Sequence, residues 1–217
     1  MIRLFTGYDD REAVGWHVFC QSVIEKSSIP VAIIPITRWA VSDGTNAFSK
    51  SRFLVPALCD FEGWALFADG ADMLVRDDLA GLWALRDARC AVQVVQHDYT
   101  PKHSRKYIGT HMEADNGPYP RKNWSSLVLW NCGHPDNAWL TPEAVNAAPG
   151  PSLHRFSWTN RIGDLPVAWN FLDEYGEADV GLVHYTNGIP GFTHYKDAPH
   201  ADTWRKNLNQ ALRGLQD

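Results

Sequence analysis

Three side chains in this sequence have the chemistry and placement to hold a hard cation: Asp69, Asp72 and His184. Asp69 and Asp72 close the apolar run WALFA at 64–68. Its unbroken hydrophobicity and aromatic content predict a strand buried on both faces of a sheet. In open α/β sheets ligands bind in the crevice beyond the carboxyl ends of the strands, which is where this spacing puts the two carboxylates. Gly70 and Ala71 between them are small enough to let a phosphate or a metal approach the backbone, and paired carboxylate oxygens suit Mg²⁺ or Mn²⁺. His184 follows a second apolar run at 180–183, and a neutral imidazole at a strand end can complete an oxygen-rich Mn²⁺ site. A plainer reading stands beside each: Asp and Gly at a strand end are ordinary turn chemistry, and a His before a turn is often structural.

The elements that must position these groups read as an alternation of strands and helices. Residues 2–6 predict a first strand, which runs directly into the turn Gly7-Tyr8-Asp9, where a nucleotide has room to sit. Residues 12–26 have helical periodicity with Val14, Phe19, Val23 and Ile24 as packing positions, and residues 31–36 predict a second strand. That β-α-β order predicts an α/β fold with a mostly parallel central sheet. Asp78 is placed to cap a short helix through Leu82 and Trp83, and Thr141 with Pro142 to start another. Residues 90–96 and the stretch before Asn131 predict further strands. The polar residues 97–119 form a long loop of the length that lids and binding loops have, and the C-terminal residues 204–215 an amphipathic packing helix. The turn after the first strand lacks the G-x-G-x-x-G dinucleotide fingerprint.

Composition narrows the classes. The 217 residues suit one α/β domain, 1–217, with a sizeable core at 45% apolar content. A net charge of -5 argues against a nucleic-acid surface. Asp9 and Asp10 come before any signal-peptide core, and no stretch approaches the roughly 18 apolar residues of a membrane span. A cytoplasmic protein with no integral membrane segment is the expectation. Cys20, Cys59, Cys90 and Cys132 form no C-x-x-C pair, so reduced thiols are expected. Ten tryptophans are many for this length; most serve the core, and Trp is also frequent in saccharide sites.

The stretch ADGADMLVRDDLAGLW at 68–83 resembles the Asp-x-Asp region of the family 8 glycosyltransferases and related nucleotide-sugar transferases with a GT-A fold. There an apolar strand leads into an acidic pair followed by a hydrophobic triplet and a Leu-Trp helix start. The spacing here is wider, D-G-A-D. Asp72 therefore aligns with the second acid, and Asp69 takes the place of the first only across a wider turn. FSKSRFLVP at 48–56, the run into Asn131, LPVAWNF at 165–171 and HYTNGIPGF at 184–192 resemble further blocks of that family in the same order.

The resemblance implies a single GT-A-like domain that transfers a sugar from a nucleotide sugar, most simply a UDP-sugar, to a saccharide or other hydroxyl acceptor, with retention and with Mn²⁺ or Mg²⁺. It implies metal ligation by Asp69, Asp72 and His184. For the nucleotide sugar it implies Thr6, Gly7, Tyr8, Asp9, Arg52, Asp69, Ser126, Asn131 and Gly188. In that scheme Tyr8 stacks on the base, Asp9 accepts from the nucleoside, Arg52 faces the diphosphate or sugar with Lys50 as a weaker choice, and Ser125 and Ser126 lie near the sugar. Two departures stand out. Ile189-Pro190-Gly191 replaces the family's Lys-Pro-Trp, so the diphosphate lacks its usual cation and Lys196 or Arg52 would have to compensate. Trp158, Thr159 and Asn160 stand where an Asp-Gln pair is usual, and no catalytic nucleophile can be named. A non-catalytic nucleotide- or saccharide-binding domain, or a metal-dependent phosphohydrolase, would use the same carboxylates.

Overall fold

A computed structural model of the chain describes residues 1–40 and 46–213. In chain order it has β1 (Ile2–Gly7), α1 (Ala13–Lys26), β2 (Val31–Ile36), α2 (Val55–Leu58), β3 (Trp64–Ala68), β4 (Met73–Val75), α3 (Leu79–Ala84), β5 (Val92–Val94), β6 (Arg105–Lys106), β7 (Ala114–Asp115), β8 (Leu127–Asn131), α4 (Pro142–Ala147), α5 (Gly150–His154), β9 (Ile162–Asp164), β10 (Phe171–Leu172), β11 (Leu182–His184) and α6 (Ala201–Ala211). The main sheet has the order β2-β1-β3-β8-β5-β9. All of its strands run in one direction except β8, which is antiparallel to both β3 and β5. A smaller sheet, β10-β11-β4, lies beyond the acidic turn, and β6 and β7 form a hairpin inside the 97–119 segment.

The central strands are apolar throughout because both faces are covered. In β3, Ala65 and Phe67 enter one core cluster while Leu66 and Ala68 enter the other; β8 repeats this with Val128 and Trp130 against Leu127 and Leu129. A third cluster joins Val18 of α1 to Leu74, Val183, Tyr185 and Trp204, tying α6 and the small sheet to the main body. On α1 the buried positions are Gly15, Val18, Phe19, Ser22 and Val23. Phe19 and Val23 pack as the periodicity predicts, but Val14 and Ile24 are exposed, at 58% and 67%. The packing stripe is set by the 15/18/19/22/23 positions, where a glycine and a serine allow close approach that an apolarity count overlooks. A Cβ on Gly15 would lie 2.2 Å from the Ala71 carbonyl oxygen, so α1 rests directly on the acidic turn.

Other expectations are refined. Asp78 and Thr141 cap their helices through Ala80 N and Ala144 N. The 48–56 segment is a 3₁₀ turn, Ser51–Leu54, followed by the single turn of α2. The strand expected at 180–183 is Leu182–His184, so His184 is its last residue rather than the residue after it. The four cysteines are free thiols. Among the described residues no helix is long and apolar enough to cross a membrane. Val41, Ser42, Asp43, Gly44 and Thr45 lie outside the described residues, as does the end of the 204–215 helix.

Candidate metal and donor site

The acidic turn links the two sheets, which is why its carboxylates converge with a histidine from another strand. Ala68 at the end of β3 is level with Thr6 of β1 and Leu127 of β8, so Asp69 emerges at the sheet edge where β1 ends and β8 begins. Its backbone N–H donates to Ser126 O at 2.8 Å. Gly70 then adopts φ 87°, a left-handed conformation in which a Cβ would lie 2.1 Å from Thr6 Oγ1. That glycine is how the wider D-G-A-D spacing closes: Met73 N donates back to Gly70 O at 2.9 Å and the chain enters β4. Because β4 pairs antiparallel with β11, Met73 lies opposite His184, and Tyr185 N donates to Asp72 O at 2.8 Å.

One donor atom from each of Asp69, Asp72 and His184 lies within 4.8 Å of the others, a set of two carboxylate oxygens and an imidazole nitrogen. The residues fit a hard divalent cation on two grounds. Asp72 Oδ1 is buried without a hydrogen-bond partner among the described residues, a costly state that a bound cation would relieve. The imidazole is also oriented so that Nε2 is the nitrogen available to a cation. Asn170 Nδ2 donates to Ser126 Oγ at 2.9 Å and to Asn123 O at 3.2 Å. Its Oδ1 therefore faces His184 Nδ1 at 3.1 Å and accepts the proton there, leaving Nε2 directed at Asp72 Oδ2, 3.5 Å away. Asn170→Ala should leave the fold intact yet weaken Mn²⁺ binding about tenfold or more, read by metal titration followed calorimetrically.

Charge in the site is set by burial against neighbours. Burial pushes the Asp69 carboxyl up to about 6, with the Arg52 guanidinium at 2.5 Å opposing it. Burial also acts to raise Asp72, but His184 and Lys106 outweigh it and hold that carboxyl below its usual range. For His184, burial favours the neutral ring, and Asp72, Asp69 and Asp173 together reverse this and raise it. Glu12, at the start of α1, is pushed up to about 8 by burial and by the charges of Asp72, Asp9 and Asp69. Tyr107 is raised by burial and by Asp72, Glu12 and Asp69.

Beside these groups is a cavity of about 500 Å³, with Asp69, Asp72, His184, Lys106, Lys122 and His154 among its lining. Arg52, Ser125 and Ser126 line it too. Arg52, expected to serve phosphate more than a protein carboxylate, is committed within the protein. It bonds Asp69 Oδ1, Ser125 O at 3.0 Å and Ser49 O at 3.0 Å, and lies between the rings of Phe48 and Phe67. Ser125 Oγ is 2.7 Å from His154 Nδ1.

Thr6, Gly7, Tyr8, Asp9, Asn131 and Gly188 are not among the cavity's lining. Thr6, Gly7, Tyr8 and Asp9 are near it in sequence, at the end of β1, but Asp9 is engaged. It caps the turn at Arg11 N, pairs with the Arg11 guanidinium at 2.6 Å and accepts from Ala47 N, and Arg11 holds its carboxyl well below the usual range. Tyr8 packs edge-on against Trp16. Asn131 is a clear correction. Because β8 is the reversed strand, Asn131 pairs opposite Trp64 at the edge away from Asp69, where its amide donates to Cys90 O at 3.1 Å. Gly188 packs against the Tyr195 ring. Lys50 is buried and donates to Asn146 O. Trp158, Thr159 and Asn160 line a separate shallow depression with Asp136 and Arg161. Asn170 lies inside the LPVAWNF block, but its contact with His184 spans 14 residues and has no local signature. Glu12, Lys106, Lys122 and His154 have no signature in the sequence, where a lone charge or imidazole in a loop or helix end carries no signal of its own.

No protein-family model matches the chain. Protein CDI of Arabidopsis thaliana is 42% identical over 228 residues, covering 96% of this chain and 86% of that protein. The chain belongs to the Protein CDI family. Solved structures give the family's fold a wider setting. WbbM, a bifunctional glycosyltransferase, superposes with a TM-score of 0.66 at 14% identity over 95% of this chain and 49% of its own, so the chain spans about half of WbbM. The galactosyltransferase LgtC, solved with donor and acceptor sugar analogues, gives 0.61 at 13% identity over 98% of this chain and 99% of its own. GlyE, a glycosyltransferase of Streptococcus pneumoniae, gives 0.60 at 13% identity over 95% of this chain and 60% of its own. At these identities the shared property is the fold: this member of the Protein CDI family has a GT-A-like α/β architecture with a mostly parallel central sheet.

Proposed function

We propose that this chain is a metal-dependent glycosyltransferase, a single domain over 1–217. It would transfer a sugar from a nucleotide sugar, most simply a UDP-sugar, to a hydroxyl acceptor, retaining the anomeric configuration in the manner of family 8. The observation that carries this is the convergence of Asp69, Asp72 and His184 beside a cavity at the carboxyl edge of β3 in a GT-A-like fold. Mn²⁺ or Mg²⁺ would supply charge neutralisation for the leaving diphosphate. Asp72 offers a carboxylate oxygen with no partner among the described residues, and Asp69 offers Oδ2 while Arg52 grips Oδ1 and favours the ionised acid against burial. His184 offers Nε2, giving up the proton it shares with Asp72 in the metal-free protein, and Asn170 keeps the other ring nitrogen protonated. Ser125 and Ser126, fixed by His154 and Asn170, present hydroxyls to the cavity for a saccharide.

The deciding experiment incubates the protein with Mn²⁺ and a panel of nucleotide sugars while free nucleotide is measured. Sugar-dependent UDP release is the expected result. Nucleotide binding without release would make the chain a non-catalytic GT-A domain, and phosphate release from simple esters a phosphohydrolase.

A further inference from the structure

The cavity has two lysines, neither of them exposed, that no role above uses. Lys106 and Lys122 both line it, and among the described residues neither is ion-paired with a carboxylate. Lys122 is only 9% exposed. Its ammonium donates to Gly117 O at 3.1 Å and lies 4.7 Å from the Tyr119 ring centroid, contacts that hold it in place without neutralising it. Burying an uncompensated ammonium is costly. Burial, and then the charge of Lys106, push the Lys122 amine down to about 8. Lys106 stands over the Tyr107 ring at 4.9 Å, and its charge acts on both Asp69 and Asp72. Two ammonium groups thus share one cavity, repelling each other beside a site for a divalent cation, and a doubly charged anion would offset both.

Of the other cations, Arg155 also lines the cavity, but it is exposed and its Nε donates to Pro151 O at 3.0 Å. Arg52 is bound to Asp69, Lys196 does not line the cavity, and the segment after His184 has Ile189-Pro190-Gly191 where a lysine would be needed. The segment carrying Lys106 is instead tied to that same region: Tyr107 N donates to Asn187 O at 2.7 Å, Ile108 N to Tyr195 Oη at 3.1 Å, and Asn116 Nδ2 to Asn187 Oδ1 at 3.3 Å.

We propose that Lys106 and Lys122 form a diphosphate clamp, supplied by the 97–122 segment, and that on the donor reading above the group it grips is the diphosphate of the nucleotide sugar. The long loop is then part of the donor site, and the cation absent after His184 is replaced from a different part of the chain.

The test measures calorimetric binding of inorganic pyrophosphate, UDP and uridine in Mg²⁺ to wild type, Lys106→Met, Lys122→Met and Lys122→Arg. Methionine keeps the apolar stem and removes the charge. Each Met variant should lose about tenfold or more in pyrophosphate and UDP affinity, since a hydrogen bond to a charged group is worth about 1.5–3 kcal/mol. Uridine affinity should be unchanged, and Lys122→Arg should keep most of the binding. Unchanged pyrophosphate and UDP affinity in folded Met variants overturns the clamp. Lysine-dependent pyrophosphate binding without UDP binding upholds the clamp and removes the donor reading. Should Lys122→Met not fold, Lys106→Met, at a half-buried position in a hairpin, decides the matter.

Discussion

Asp72→Asn is expected to abolish metal-supported nucleotide binding while the protein stays folded. In Mn²⁺, UDP affinity measured by calorimetry should fall on the order of 100-fold, about 2.7 kcal/mol. The side chain keeps its shape but loses the charge that makes it a cation ligand, and Oδ1, which has no protein partner among the described residues, loses its function. Stability should change little. The contact with His184 at 3.5 Å is weakened, but a negative charge is also removed from a buried site that already holds Asp69 and Glu12. Thermal unfolding of the metal-free protein should therefore shift by only a few degrees. A variant that binds UDP as wild type does in Mn²⁺, and loses that binding equally in a chelator, would take Asp72 out of the cation's ligand set.

Glu12→Gln should stabilise the metal-free protein at alkaline pH and do almost nothing at acidic pH. The sign follows from the direction of the shift. Folding raises the Glu12 carboxyl from 4.5 to about 8, so the native state favours the protonated form. The stability this contributes is fully present below pH 4.5 and is lost as pH rises through about 8. Gln is neutral throughout and removes that slope. Its unfolding temperature should match wild type near pH 5 and exceed it near pH 9 on the order of 5 °C. Mn²⁺ should narrow the gap, because a cation among these carboxylates favours ionised Glu12. Parallel unfolding curves for the two proteins across pH 5 to 9 in chelator would show that Glu12 does not feel Asp72 and Asp69 through the fold.

How much of this was legible in the sequence depended on the range of the interaction concerned. β1, β2, β3 and the helix between the first two were readable because apolar runs and helical periodicity are local. Even there, the 3.6-residue pattern misassigned Val14 and Ile24, since the buried stripe of α1 runs through Gly15 and Ser22, small residues chosen for close contact with the Ala71 carbonyl and with Val75. Asp69, Asp72 and His184 could be singled out because each stands at the end of an apolar run. Asn131 stood at the end of one as well, and the same rule failed: strand direction is a tertiary property, and β8 runs the other way.

By itself, then, the sequence determined the α/β alternation, the acidic turn and its histidine, and the loop between 97 and 119, all features written in neighbouring residues. Only the tertiary structure decided what those groups face. It folded Gly70 left-handed so that a wide D-G-A-D turn closes, and set β4 against β11 so that Asp72 meets His184. It turned Asn170 onto the histidine's second nitrogen, gave Arg52 to Asp69, and brought Lys106 and Lys122 into the cavity. Each of these contacts joins residues far apart in the chain or depends on a strand's direction, and local propensity contains no information about either.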